Sequence, residues 1–335
     1  MPHLRRVALV CLLLAVAVAG ATTATTLRIS LPPVLEALPI AFAEAWGMFD
    51  AAGLSVDVVG ISDNQERGTA LLTGNLDAVM SDVTSAMLDY CTNQSVIVVA
   101  TAGSTPQSGS YSLVLASNAS FGPPDVDGLL ASDQIVGVTY RTDEEYLLDE
   151  FFAAHGQPRA WMTRYSYFGD MLQLAVWFGA QTLPVSILPE PYYSYISTLI
   201  PASGTPMRLV VLSDFSEFAA PPRVLVFRQD YVKQHPDAVA TFLRVYRDAV
   251  TRMNETPRDE IINVGLDVVI GLFFQGADKT LIQPQTLDAM SIPHFELPGP
   301  LSEDVFDSVT DWMTHKGYLN EDVSYQEFTS FGLLP

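Results

Sequence analysis

The sequence predicts a two-lobed α/β protein with a cleft between the lobes. Three observations carry that prediction. From Leu27 onward, short apolar runs alternate with helical stretches, the pattern of βα units. The runs end in polar clusters, so loops from separate strands meet at one edge of a sheet, where open α/β sheets hold their ligands. Two passages rich in small and turn-forming residues, 101–109 and 213–222, carry the chain out of the first set of units and back again.

Residues 27–31 read as the first strand, stopped by Pro32-Pro33. A helical stretch follows through Trp46 and Phe49 and closes on Gly53 as its C-cap. Residues 54–61 are a second strand, apolar enough to be buried in a parallel sheet. Ser62-Asp63-Asn64 offers an N-cap for a helix over 65–73. Gly74-Asn75 turns the chain into a strand over 76–80, Ser81-Asp82 caps a helix over 83–90, and 96–100 is a fourth strand. Beyond the first passage lie strands at 111–116 and 135–140, then Arg141-Thr142-Asp143 and a helix over 144–154. An aromatic-rich stretch at 160–167 precedes a helix over 169–178 and a short strand at 184–188, which ends in Pro189-Glu190-Pro191-Tyr192-Tyr193. A strand at 209–212 leads into the second passage, and 224–227 is again strand. His235-Pro236-Asp237 then starts a long amphipathic helix to about Arg252, and Ser302-Glu303-Asp304 caps a terminal helix reaching His315.

The first residues read as a targeting segment. Arg5 and Arg6 make a positive start, 7–19 is an apolar run, and Ala19-Gly20-Ala21 is a small-x-small cleavage site, so residues 1–21 are expected to be a signal peptide. A membrane span needs about 20 apolar residues, and this run gives way early to threonines. Cys11 lies inside the run without the small residue that a lipid-anchor signal places before its cysteine. Cleavage leaves Cys91 as the remaining cysteine, which forms no internal disulfide and is expected as a buried structural thiol. An apolar fraction of 49% supports a substantial core. The net charge of -21 repels phosphate backbones and argues against nucleic-acid binding.

Several segments together resemble a family. They are Trp46-Gly47-Met48-Phe49 followed by Ala52-Gly53-Leu54; Leu71-Leu72-Thr73-Gly74-Asn75-Leu76-Asp77-Ala78; Pro189-Glu190-Pro191-Tyr192; His235-Pro236-Asp237 before a long helix; and Trp312 with Gly317-Tyr318-Leu319. This order is similar to that of the solute-binding proteins of ABC importers that handle nitrate, sulfonates, taurine and thiamine-pyrimidine precursors. The resemblance implies a type II periplasmic binding protein, each lobe a mostly parallel sheet flanked by helices, with the ligand cleft between them. It implies residues 22–107 and 221–335 as lobe I and 108–220 as lobe II. The partners implied are a small-molecule ligand and a membrane permease with its ATPase, for a monomeric protein in the periplasm or outside the cytoplasmic membrane. The hinges are expected at 103–109 and 216–222.

In the first lobe the strand ends nominate Pro33, Ser62, Asp63, Asn64, Ser81, Asp82, Thr84 and Ser104 as ligand contacts, although Ser, Asp and Asn before a helix also serve simply as caps. In the second lobe the candidates are Tyr140, Arg141, Thr142, Tyr165, Tyr167, Glu190 and Tyr192. Arg141 before a helix suits an anion. Trp161, Tyr165, Tyr167 and Phe168 suit a flat ring, or equally core packing. Asp63, Asp82 and Glu190 suit a ligand with donors or positive charge. The acidic and aromatic density favours an aromatic or amine-bearing heterocycle such as a thiamine pyrimidine precursor; the alternative is a small anion, sulfonate, taurine or nitrate. A sensory module, or an enzyme related to pyrimidine-forming thiamine biosynthesis, is a further alternative. Against an enzyme, no Gly-x-Ser-x-Gly elbow or phosphate-binding glycine loop is present, and His155, His235, His294 and His315 lack paired metal spacing. No cofactor and no metal is expected.

Overall fold

The computed structural model describes residues 26–106, 112–199, 207–264, 266–274 and 284–335. The expected signal peptide, the 107–109 part of the first hinge and the start of the strand at 111 lie outside them. Twelve strands occur among the described residues: β1 (Thr26–Ser30), β2 (Ser55–Val58), β3 (Ala78–Ser81), β4 (Val96–Ala102), β5 (Ser104–Thr105), β6 (Leu113–Asn118), β7 (Val136–Thr139), β8 (Tyr165–Phe168), β9 (Val185–Pro189), β10 (Leu209–Ser213), β11 (Arg223–Arg228) and β12 (His294–Phe295).

They build two five-stranded sheets, β2-β1-β3-β11-β4 and β10-β6-β9-β7-β8, and the small pair β12-β5. The first sheet draws on both ends of the chain and the second on its middle, so the chain passes between them twice. Each sheet is mostly parallel, with four of its five strands running one way and one strand reversed, β11 in the first and β6 in the second. β1 runs parallel to β2 and β3, but β11 runs antiparallel to both β3 and β4. β7 runs parallel to β8 and β9, but β6 runs antiparallel to β9 and β10. The physical reason is the double crossing. β11 arrives from the other lobe and fills the gap between β3 and β4, while β6, the next strand in the chain after β5, lies between β10 and β9.

The helices follow the caps that the sequence displays. Asp63 accepts from the Glu66 backbone N–H at the start of Asn64–Leu72, Asp82 from that of Ser85 at the start of Val83–Asn93, and Ser302 from that of Val305 at the start of Glu303–Lys316. Gln94, in the left-handed conformation, ends the second of these helices. Pro236 occupies the first turn of Pro236–Glu255, whose apolar stripe buries Val239, Phe242, Leu243, Tyr246, Val250 and Met253. Phe242 stacks on Phe49 at 5.3 Å. Each such fully buried side chain contributes roughly 1.5–3 kcal/mol. The stretch 160–167 is not one element. A short helix, Trp161–Arg164, passes directly into β8, because buried Arg164 is held by the carbonyls of Leu129 and Gln134 and by the Gln157 side chain. Cys91 is half-buried rather than buried, at the margin of the cluster beneath β11.

Contacts at several places besides the crossings join the lobes. The Tyr192 hydroxyl, on the helix Tyr192–Thr198, donates to the Phe273 carbonyl at 2.8 Å, and the Thr198 and Thr286 hydroxyls lie 2.9 Å apart. On another face, the Lys316 ammonium from the helix Glu303–Lys316 reaches Glu145 and Asp149 of the helix Asp143–Ala154.

Candidate functional site

Four strand ends converge where the two sheets face each other. β1 runs into Pro32-Pro33 and the turn Leu35–Ala37; β3 into Asp82; β7 into Tyr140-Arg141-Thr142; β9 into Glu190. Between them and the two crossings lies a cavity of about 620 Å³. This lies within the usual range of small-molecule sites, roughly 300–1,000 Å³.

The lining is strongly acidic. Six acidic side chains border the cavity, Glu36, Asp143, Glu144, Glu190, Asp214 and Glu296, against one cation, Arg223. The Arg223 charge is already taken: its guanidinium hydrogen-bonds Glu144 and lies 3.8 Å from Asp82. Burial opposes ionisation of Glu144, but the Arg223 guanidinium outweighs it and holds the carboxyl below its usual range. Burial pushes Glu190 up to about 7, although Ser194 donates to it from both its hydroxyl and its backbone N–H. Burial and the neighbouring Asp82 push Asp143 up to about 8, with Arg223 and Thr84 pulling the other way. Glu36 accepts from the Ser104 hydroxyl at 2.6 Å, and Glu296 from that of Thr105 at 3.0 Å. The lining aromatics are Phe215 and Phe218 from the second crossing.

A second, much smaller void of about 20 Å³, room for roughly one water, lies between the lobes. It is lined by Pro33, Ser62, Asn64, Asp82, Thr142 and Arg223, among others. Here the lobes touch directly. The Asp143 carboxyl, from the second lobe, accepts from the backbone N–H groups of Val83 and Thr84, both at 3.1 Å, and from the Thr84 hydroxyl at 2.7 Å. The Ser85 hydroxyl donates to Asp82 at 2.9 Å and lies 3.0 Å from the Arg141 carbonyl. Arg67 is buried and donates to the carbonyls of Ile61 and Ser62 and to Asn64; burial lowers its pKa to about 10.

The sequence-nominated residues therefore divide into groups. Ser104 and Glu190 line the large cavity. Pro33, Ser62, Asn64, Asp82 and Thr142 line the small void. Asp63 and Tyr192 border a separate hollow with Asp170 and Phe273, which adjoins the small void through Pro33 and Ser62. Ser81 is buried at the end of β3, and Thr84 is occupied by Asp143. Tyr140, Arg141, Tyr165 and Tyr167 are not brought to either space. Tyr165 donates to Asp149 and Tyr167 to Glu145, because alternate residues of β8 face the helix Asp143–Ala154. Arg141, at φ 59°, lies over the rings of Tyr140 and Tyr318. Sequence reasoning missed Glu36, Arg67, Asp143, Glu144, Asp214, Arg223 and Glu296. Asp143-Glu144-Glu145, three acids in one first turn, was a readable signal. Glu296 carried none, since it reaches the cavity through the pairing of β12 with β5. Among the described residues no cluster of His, Cys, Asp and Glu is arranged to hold a metal ion.

Solved proteins share this architecture across most of the chain. The ligand-binding component of an ABC-type import system from Staphylococcus aureus, solved with zinc bound, superposes with a TM-score of 0.69 at 14% identity, covering 92% of this chain and 97% of that one. The alkanesulfonate-binding protein SsuA from Xanthomonas axonopodis pv. citri, bound to MOPS, gives 0.67 at 13% identity over 92% and 98%. The periplasmic nitrate-binding protein NrtA from Synechocystis PCC 6803 gives 0.60 at 13% over 92% and 91%. At such identities the likeness establishes the fold, the two-lobed architecture of periplasmic binding proteins. No curated protein matches the chain by sequence. The family model described as NMT1/THI5 like matches residues 35–260, more than half the chain, and the protein belongs to that family.

Proposed function

We propose that this protein is an extracytoplasmic solute-binding protein of an ABC importer, taking a small ligand with positive charge or several hydrogen-bond donors. An amine-bearing heterocycle such as a thiamine pyrimidine precursor is the best match. The observation that carries the reading is the acidic lining of the 620 Å³ cavity, whose one arginine is already neutralised. Glu190 is the central acceptor, with Glu36 and Glu296 on the other lobe. The fold of transport-associated relatives supports transport over catalysis. In this reading, 22–107 with 221–335 and 108–220 are the two lobes, residues 1–21 direct export, and lobe closure presents the ligand to a permease and its ATPase.

The relatives named for alkanesulfonate and nitrate handle anions. A buried anion here would face carboxylates with no free cation beside them, a costly arrangement. A thermal-shift panel tests the choice. Aminopyrimidines and small amines are expected to raise the melting temperature, since a ligand at 100 times its Kd adds about 2.7 kcal/mol. Taurine, alkanesulfonates and nitrate are expected to leave it unchanged. The opposite pattern refutes the proposal.

A further inference from the structure

The contact that draws the lobes together over the small void is made by the protein's own carboxyl group. The helix Val83–Asn93 starts at the lobe boundary, and its first N–H groups have no partner within the helix. Three of them are filled by side-chain oxygens. Val83 and Thr84 donate to Asp143, and Ser85 donates to Asp82 at 2.7 Å. The Thr84 hydroxyl also donates to Asp143. Both Asp143 oxygens accept, so the carboxyl is held in a fork. Of the nearby cations, Arg223 is paired with Glu144 and Asp82, while Arg67, which also lines the void, donates to neutral acceptors, two carbonyls and the Asn64 side-chain oxygen.

A helix start with free N–H groups is a natural place for an anion. Here that place is filled by the first residue of a helix from the opposite lobe, Asp143–Ala154. We infer that Asp143 is a specificity-determining residue: its carboxyl is the built-in occupant of the Val83–Asn93 helix start, which closes the lobes without an anionic ligand and excludes anionic solutes. This rests on the reading of the cavity as a site for donor-rich or cationic ligands and adds the reason anions are refused. A free anion entering here meets Asp82 and Glu144 as well as Asp143.

The test compares wild type, Asp143→Ala and Asp143→Asn by calorimetric titration with nitrate, methanesulfonate and an aminopyrimidine. Asp143→Ala bares the helix start and is expected to gain about ten- to hundredfold in nitrate or methanesulfonate affinity, the worth of one or two charge-assisted hydrogen bonds. Asp143→Asn keeps the side-chain volume without the charge and is expected to gain less. A folded Asp143→Ala protein with no gain in anion affinity overturns the inference, and aminopyrimidine binding by the wild type then leaves the cavity reading standing. Wild type that refuses the aminopyrimidine while Asp143→Ala gains anion affinity refutes the cavity reading alone. Should both variants fail to fold, millimolar nitrate or methanesulfonate binding to wild type overturns the inference by itself.

Discussion

Replacing Lys316 with methionine is expected to destabilise the protein far more than loss of an ordinary ion pair does. The Lys316 side chain is only 3% exposed, and its ammonium lies 2.7 Å from Glu145 and 2.5 Å from Asp149, which are 0% and 9% exposed. The rings of Trp161, Tyr165, Trp312 and Tyr318 surround it, with centroids between 4.9 and 5.8 Å away. Methionine preserves the length and most of the volume, so the perturbation is the charge. Two buried carboxylates then lose their cation, a loss worth about 3–5 kcal/mol when one partner of a buried pair is removed. Tyr167 and Tyr318 still donate to Glu145, and Tyr165 and Trp312 to Asp149, which places the expectation at the lower end of that range. Urea denaturation at neutral pH measures the change from the shift in midpoint at constant slope. The triple variant Lys316→Met, Glu145→Gln, Asp149→Asn is expected to recover most of the loss. Because this cluster ties the helix Asp143–Ala154 of one lobe to Glu303–Lys316 of the other, the single variant is also expected to enlarge the radius of gyration in solution scattering. A loss below about 1 kcal/mol, the value of an exposed pair, refutes the argument.

Two further expectations concern the cavity and the second sheet. Burial raises the Glu190 carboxyl from 4.5 to about 7, so the native state holds that proton more tightly than the unfolded chain. Its stabilising contribution is fully present below about pH 4.5 and is lost as pH rises through 7. Glu190→Gln is expected to flatten the fall in stability over that window and to weaken amine binding; an unchanged pH profile refutes the assignment. In β7, a Cβ on Gly137 meets Leu174 at 2.6 Å and Leu183 at 2.8 Å. Gly137→Ala is expected to cost about 1–3 kcal/mol by overpacking, and a neutral result in a denaturant melt refutes it.

What the sequence determined by itself was local. Asp63, Asp82 and Ser302 are caps because a short polar side chain before a helix meets its first N–H groups, whatever the rest of the chain does. The return passage was legible for a similar reason, since small and turn-forming residues fill the stretch between β10 and β11, whereas 101–102 and 104–105 of the first passage are strand. Tertiary structure decided which polar residues face the cavity. Tyr165 and Tyr167 have the chemistry of a ring-stacking site, yet β8 turns both toward Asp149 and Glu145. Asp82 is both the cap that its spacing indicates and part of a buried charge group with Arg223, which arrives from 141 residues further along the chain. Glu36, Arg223 and Glu296 share one cavity only because β11 enters the first sheet between β3 and β4, and β12 pairs with β5. Caps and turns depend on neighbours a few residues apart, and sequence spacing records those. The sign of the cavity depends on which distant carboxylates the crossings bring together and which cations they neutralise, and only the folded chain specifies that.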